Sequence, residues 1–99
     1  MQKLLKNQIL FHRTTGTNTV ITFYEVKRAT TRTCELQEIR KNVVSQDSYN
    51  QYVVPKPGED IGTKIRCSVT SAGAVEIDKN KFAWPWDGSP ERQDTLVFL

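Results

Sequence analysis

Residues 64–78, with the sequence KIRCSVTSAGAVEID, decide the fold of this 99-residue chain. Ile65, Cys67 and Val69 alternate with polar neighbours, and the same alternation returns after residue 74. A hydrophobic period of two places apolar side chains on one face of a strand and polar side chains on the other. The Ser-Ala-Gly between the two runs predicts a three-residue turn with Gly73 in the left-handed region. The stretch therefore predicts a β-hairpin with one dry face and one wet face.

Further strands are predicted on both sides of this hairpin, at residues 9–12, 20–28, 33–41, 52–54 and 95–99. The strand at 20–28 carries apolar side chains on both faces, so it should be central in its sheet. In residues 33–41, Leu36 and Ile39 are out of phase for a regular strand, which predicts a β-bulge near residues 37–38. A short helix is the alternative there, because the segment also contains good helix formers.

The segments between these strands are assigned to loops and turns. Residues 42–50 are predicted to be a loop or ragged edge, and Pro55 and Pro57 should end the strand at 52–54, because proline cannot donate to a ladder. Residues 56–62 and 82–90 are predicted to be long turns. Five to seven short strands with no clear helix predict an all-β fold, a small antiparallel barrel or strongly bent sheet of SH3-like or OB-like size. We expect residues 1–99 to form a single domain.

The composition limits what such a domain can do. Hydrophobic residues make up 37% of the chain, so we expect one modest core and little room for a deep catalytic cavity. Cys34 and Cys67 fall in strand-like runs, and we expect two small buried hydrophobes in a reducing compartment, with a disulfide as the alternative. No segment resembles a secretory signal or could span a bilayer, which predicts a cytoplasmic protein with no membrane partner.

Catalytic and metal-binding patterns are weak in this sequence. His12 is its one histidine, and a Cys–His dyad would need a cysteine beside it in space together with a third, orienting group. One histidine and two distant cysteines do not make a zinc site, and no glycine-rich loop leads into a helix that could hold a phosphate. We therefore expect no enzymatic activity, no metal site and no cofactor.

The clearest charge pattern is a basic cluster around residues 29–32. Residues 1–41 carry eight cations and three anions, whereas residues 42–99 carry six cations and eight anions. If the chain turns back at 29–32, five cations converge at one end of the sheet: Lys27, Arg28, Arg32, Arg40 and Lys41. These side chains could contact phosphates, while Tyr24 could offer a stacking face to a base. The alternative is that the charges only keep strand edges soluble.

A second candidate surface lies in the WPWDG stretch at residues 84–88. Two tryptophans rarely both fit a core of this size, so one could plug the barrel while the other is exposed as an anchor for a partner protein. The alternative, which we favour, is a structural corner. In that corner Trp84 would lie in the core, and Asp87 would accept backbone hydrogen bonds in a turn that needs Gly88. An exposed Trp86 would then be the candidate anchor.

Several stretches, taken in order, resemble a family of small uncharacterised proteins encoded by bacteriophages, plasmids and other bacterial mobile elements. They are VITFYEV at 20–26, LQEI at 36–39, YVVP at 52–55, Gly62 followed by Arg66, and PWDG at 85–88 with Pro90 after it. The resemblance spans roughly residues 9–97 and implies a mobile-element gene that acts inside a bacterial cell. Members often carry an aromatic stretch before the Phe-Tyr strand, whereas this chain has Thr14, Thr15 and Gly16 there.

Together these observations predict a non-enzymatic binding module. We expect a host protein as the partner, bound as an inhibitor or adaptor, because occlusion needs surface area and charge but no active site. A small β-barrel that binds DNA or RNA through the basic cluster is the alternative. An exposed edge at 52–54 or 95–99 could also pair two copies of the chain.

Overall fold

A computed structural model describes residues 4–95, and these form an all-β structure, as predicted. Its eight antiparallel strands exceed the expected five to seven: β1 (Ile9–Thr14), β2 (Val20–Ala29), β3 (Thr33–Gln46), β4 (Asn50–Asp60), β5 (Ile65–Val69), β6 (Val75–Asp78), β7 (Lys81–Pro85) and β8 (Glu91–Asp94). Within the described range no helix is long and apolar enough to span a membrane.

Six strands close into a small barrel, in the order β1-β2-β3-β5-β6-β7 and back to β1. The predicted hairpin is β5–β6, in which Ser68 lies opposite Glu76 and Val69 opposite Val75. Gly73 has a φ of 88°, as the turn prediction required, and its amide donates to the Thr70 carbonyl at 3.1 Å. The barrel therefore contains the hairpin that the alternation predicted.

The dry face of the hairpin points into the barrel. Cys67 and Val75 lie there with Leu10, Val26 and Leu36, and all five side chains are buried. Leu4 is also buried against this cluster. Each fully buried aliphatic side chain contributes on the order of 1.5–3 kcal/mol, so this cluster supplies much of the stability of the barrel.

A second apolar cluster lies on the opposite face of β2. Phe23 and Val26 are three residues apart on a regular stretch of strand, so their side chains point to opposite faces. Val26 belongs to the barrel cluster, whereas Phe23 packs with Ile21, Ile39 and Val53. The prediction that β2 is apolar on both faces and central is confirmed, because it contributes to both clusters.

Strands β4 and β8 cover the second cluster. β3 pairs with β5 over residues 33–36 and then with β4 over residues 39–46. β8 in turn pairs with β4. β8 also reaches β2, because the Asp94 amide donates to the Thr19 carbonyl at 2.9 Å and the Ile21 amide donates to Gln93 Oε1 at 3.0 Å. β2, β3, β4 and β8 thus enclose a second lobe beside the barrel.

The loop assignments between residues 42 and 62 are correct only for residues 47–49 and 61–62, which lie outside the strands. Residues 42–46 belong to β3, and β4 continues through Pro55 and Pro57 to Asp60. The prolines are tolerated because the β3–β4 register slips between Ile39 and Lys41, so the residues after Pro55 are not in a regular ladder. Gly58 has a φ of 85° there, and its amide donates to Glu25 Oε1. The strand at 52–54 is also not an edge, since β4 lies between β3 and β8.

Residues 33–41 form a strand, as preferred over a helix, but without the predicted bulge. Pairing with β2 is regular from Leu36 to Ile39, and the extra residue is instead Lys27 on β2. The phase break has another cause: Leu36 faces the barrel cluster and Ile39 the second cluster. The turn predicted at 82–90 is shorter than expected, because β7 continues to Pro85. Of the last predicted strand, residues 96–99 lie outside the described range, and Thr95 is not in a strand.

Candidate binding surfaces

The structure divides the five predicted cations between two places. Arg28 and Arg32 lie at the β2–β3 turn, where Arg28 is opposite Glu35. Arg40 and Lys41 lie five and six residues beyond Glu35 along β3. At about 3.3 Å per residue, this separates the two groups by roughly 17 Å. The expected convergence of all five at one end of the sheet is therefore wrong.

Two of the five are already held by other groups. The Lys27 Nζ lies 3.2 Å from Asp60 Oδ1 and 3.7 Å from Glu25 Oε2. The Lys41 Nζ donates to the Ile21 carbonyl at 2.6 Å and to Gln93 Oε1 at 2.7 Å, inside the second lobe. Burial lowers the pKa of Lys41 from its ordinary value. Lys41 thus has a structural role, which a pattern of charges along the sequence does not reveal.

Tyr24 lies on the barrel side of β2 rather than beside the basic turn. Its half-buried ring packs against the barrel cluster, and burial raises the pKa of its hydroxyl, with the Glu38 carboxylate acting in the same direction. The ring is four residues from Arg28 along the strand. The structure therefore separates the predicted stacking face from Arg28 and Arg32, whereas Arg40 lies two residues beyond Glu38, the partner of Tyr24 on β3.

The two tryptophans have exchanged their expected places. Trp86 packs on the second cluster, where its ring meets Phe23 edge-to-face with centroids 5.9 Å apart, and its Nε1 donates to the Ser89 carbonyl at 2.7 Å. Trp84, which was expected in the core, is 47% exposed. The alternation along β7 explains this, because Ala83 faces the barrel and Trp84 therefore faces outward.

The predicted corner after β7 does form. The Asp87 carboxylate accepts from the Ser89 amide at 2.9 Å and from the Ser89 hydroxyl at 2.6 Å, which lowers the pKa of Asp87. Gly88 has a φ of 95°, a value that favours glycine. The PWDG stretch is therefore a structural corner, and its exposed aromatic neighbour is Trp84 rather than Trp86.

A surface that was not predicted is the outer part of the β3–β4 hairpin, residues 42–52, which we call the arm. Residues 42–49 are all exposed. Four large apolar or aromatic side chains of the arm are among the most exposed of their kind: Val43 at 43%, Val44 at 50%, Tyr49 at 79% and Tyr52 at 39%. Asp47 is the one charged residue between positions 42 and 55. The arm is thus an exposed surface nearly free of charge.

The Asp47 carboxylate stabilises the turn at the tip of the arm through hydrogen bonds to the backbone. Asp47 Oδ1 accepts from the Tyr49 and Asn50 amides at 2.8 and 2.7 Å, and these bonds lower the pKa of Asp47. The Thr95 amide donates to the Tyr49 carbonyl at 3.1 Å, which fixes the end of β8 against the tip. These bonds hold the exposed side chains on an ordered hairpin. The absence of Lys, Arg and Glu from residues 42–55 is the sequence signal that identifies this surface.

His12 and the two cysteines lie on three different strands, β1, β3 and β5. His12 Nδ1 is 2.9 Å from the Phe82 carbonyl oxygen on β7. Cys34 and Cys67 are buried free thiols directly opposite one another on β3 and β5, and burial raises the pKa of both. Among residues 4–95, no group of three or more His, Cys, Asp and Glu side chains could hold a metal ion.

Comparisons with protein-family models, with curated proteins and with solved structures found no match to this chain. The resemblance to bacteriophage and mobile-element proteins therefore stays a prediction.

Proposed function

We propose that this protein is a non-enzymatic binding module that recognises another protein through the arm. The observation that carries this proposal is the exposure of Val43, Val44, Tyr49 and Tyr52 on a hairpin with a single charge. Protein interfaces are enriched in aromatic residues and depleted of charge at their centres, whereas nucleic-acid interfaces are strongly basic. The arm, with two exposed tyrosines and one charge, has the composition of a protein interface.

The construction of the arm favours binding at low entropic cost. The Asp47 bonds at the tip and the pairing of β4 with β8 fix the backbone before a partner arrives. Tyrosine adds a large contact area with few rotatable bonds, as it does in antibody loops rich in Tyr, Ser and Asn. A pre-ordered hairpin loses little conformational freedom on association, so more of the contact free energy remains as affinity.

The resemblance implies where the partner would be found. A chain encoded by a mobile element acts inside a bacterial cell, so the proposed partner is a cytoplasmic host protein, bound as an inhibitor or adaptor. Binding a host protein as an inhibitor or adaptor requires contact area and complementary shape, and no active site. A contact of standard size buries about 800 Å² on each partner, which the arm could provide together with adjoining parts of β8.

The test is affinity capture from a bacterial lysate with matched variants. The arm variant carries Val44→Ser and Tyr49→Ser, and the control carries Trp84→Ser, which removes another large exposed side chain away from the arm. We expect one protein to be captured in a constant ratio by the native chain and by the control, and to be lost with the arm variant. Capture that is unchanged by the arm variant would refute the proposal.

A further inference from the structure

Two adjoining depressions lie at the end of β3 that is opposite to the arm. The first, of about 190 Å³, is lined by Arg28, Glu35 and Arg66 among others, and the second, of about 520 Å³, by Leu5, Lys6 and Arg28 among others. Arg28 and Ala29 line both depressions, so the two adjoin each other, and together we call them the basic groove.

The cations of the basic groove are arranged by strand pairing. Arg28 on β2 lies opposite Glu35 on β3, and Glu35 lies opposite Arg66 on β5, so the three residues form one row across the sheet with Glu35 in the middle. Neither arginine, nor Lys6, takes part in an ion pair with a carboxylate of residues 4–95. Lys27, by contrast, is neutralised by Glu25 and Asp60. The groove therefore presents three cations against one anion.

The chemistry of this groove matches a phosphate-bearing chain. Guanidinium groups donate paired hydrogen bonds that fit phosphate oxygens. An exposed apolar side chain accompanies the cations, because Leu5 is 68% exposed and lines the second depression with Lys6 and Arg28. Single strands offer both a charged backbone and unpaired bases to such a surface, whereas a duplex keeps its bases inside. The carboxylates of an acidic peptide would pair with the same guanidinium groups, so polyglutamate is the competitor that distinguishes the two kinds of ligand.

We propose that the basic groove binds the phosphate backbone of a single-stranded nucleic acid, with Arg28 and Arg66 on its phosphates. Of the basic cluster predicted from sequence, Arg28 and Lys27 line the groove, but Lys27 is paired with Glu25 and Asp60, and Arg66 joins Arg28 through the β3–β5 register. The arm begins at Asn42, seven residues beyond Glu35 along β3, which at about 3.3 Å per residue separates the groove from the arm by about 23 Å. The two surfaces are thus far enough apart to be occupied together.

The test measures binding of a fluorescently labelled oligothymidylate of about 12 nucleotides, a length within the usual range for one small barrel. Anisotropy is recorded at about 50 mM and about 200 mM salt. The groove variant carries Arg28→Gln and Arg66→Gln. The control carries Lys79→Gln and Lys81→Gln, which removes the same charge from exposed positions at the β6–β7 turn. Glu35→Gln is a third variant, with the opposite expected sign.

The groove variant should lose about tenfold or more in affinity at the lower salt, with a salt slope shallower by about 1.4 for two lost phosphate contacts on a single strand. The control should stay within about twofold of the native chain, and Glu35→Gln should bind more tightly because the anion between the arginines is gone. An equal loss in groove and control variants would overturn the proposal. Absence of binding at the lower salt would do the same, as would competition by polyglutamate as strong as by unlabelled oligothymidylate.

Discussion

Gln93 shows how one side chain can join two parts of a fold. It is 2% exposed, and its Oε1 accepts from the Ile21 amide and from Lys41 Nζ, while its Nε2 donates to Gln51 Oε1. Strands β2, β3, β4 and β8 all meet at this amide. A buried polar group is costly unless every partner is satisfied, so Gln93 determines how the second lobe closes.

Replacing Gln93 with Met should lower the free energy of unfolding by about 1–3 kcal/mol, because the Ile21 amide and Lys41 Nζ lose a buried acceptor. Urea unfolding followed by fluorescence measures this. Gln46→Met, at an exposed position of β3, is the matched control and should change the free energy of unfolding by less than about 0.5 kcal/mol. Similar values for the two variants would show that the Gln93 amide does not join the lobes.

The thiol pair in the barrel predicts an alkaline loss of stability. Burial raises the pKa of Cys34 from its ordinary value of 9.0 to about 11, and Cys67 acts in the same direction. Above pH 9 the unfolded chain releases this proton while the folded chain retains it, so folding becomes less favourable as the pH rises toward 11. Cys34→Ala should show a shallower fall across that window in thermal melts. Identical pH profiles for the two proteins would be inconsistent with a thiol kept neutral by burial.

At the scale of the element, β7 and the corner after it give two neighbouring tryptophans different surroundings: Trp84 is exposed, whereas Trp86 packs on the second cluster. Trp86→Ala removes a ring that packs on the second cluster, edge-to-face with Phe23, so it should cost about 2–4 kcal/mol of unfolding free energy. Trp84→Ala removes an outward-facing ring and should cost less than about 1 kcal/mol. Denaturant unfolding of both variants decides this, and a larger loss for Trp84 would reverse the assignment of the two rings.

The elements also show which features local sequence can predict. The β5–β6 hairpin was predictable because alternation and a glycine turn are local signals, and the two apolar faces of β2 were visible in the same way. The course of β4 was not, since Pro55 and Pro57 are breakers by themselves and become acceptable only where the β3–β4 register slips. The bulge predicted near residues 37–38 failed for a similar reason. Ile39 is out of phase with Leu36 because it joins the second apolar cluster, which is built from strands distant in sequence.

The candidate surfaces were predictable to a smaller extent. The charges around residues 29–32 indicated Arg28 from the sequence alone. The cation on the other side of Glu35 in the sheet is Arg66, which lies 38 positions later in the chain. Lys41 was indistinguishable from Arg40 in sequence, although it is buried against Gln93. The arm did have a local signal, the lack of charge over residues 42–55. The register between β3 and β5 decides that Arg28 and Arg66 share a row, and no turn joins these two strands that could have fixed it locally.

At the scale of the whole molecule, β3 is the structural axis. It belongs to the barrel, borders the second lobe and continues into the arm, and the principal axes of the molecule measure 42, 27 and 24 Å. The two apolar clusters stabilise the centre, and the two proposed binding surfaces lie toward opposite ends of β3. Changes at the exposed tip of the arm should therefore weaken partner binding without unfolding either lobe.

The most direct test of the arm as the partner-binding element is site-specific photo-crosslinking in bacterial cells. A photoreactive phenylalanine derivative replaces Tyr49 at the tip of the arm or, as the control, Lys79 in the exposed β6–β7 turn. We predict one discrete adduct with a different protein from position 49, none from position 79, and loss of that adduct when Val44→Lys is added. Equal adducts from both positions, or adducts only between copies of this chain, would contradict the assignment.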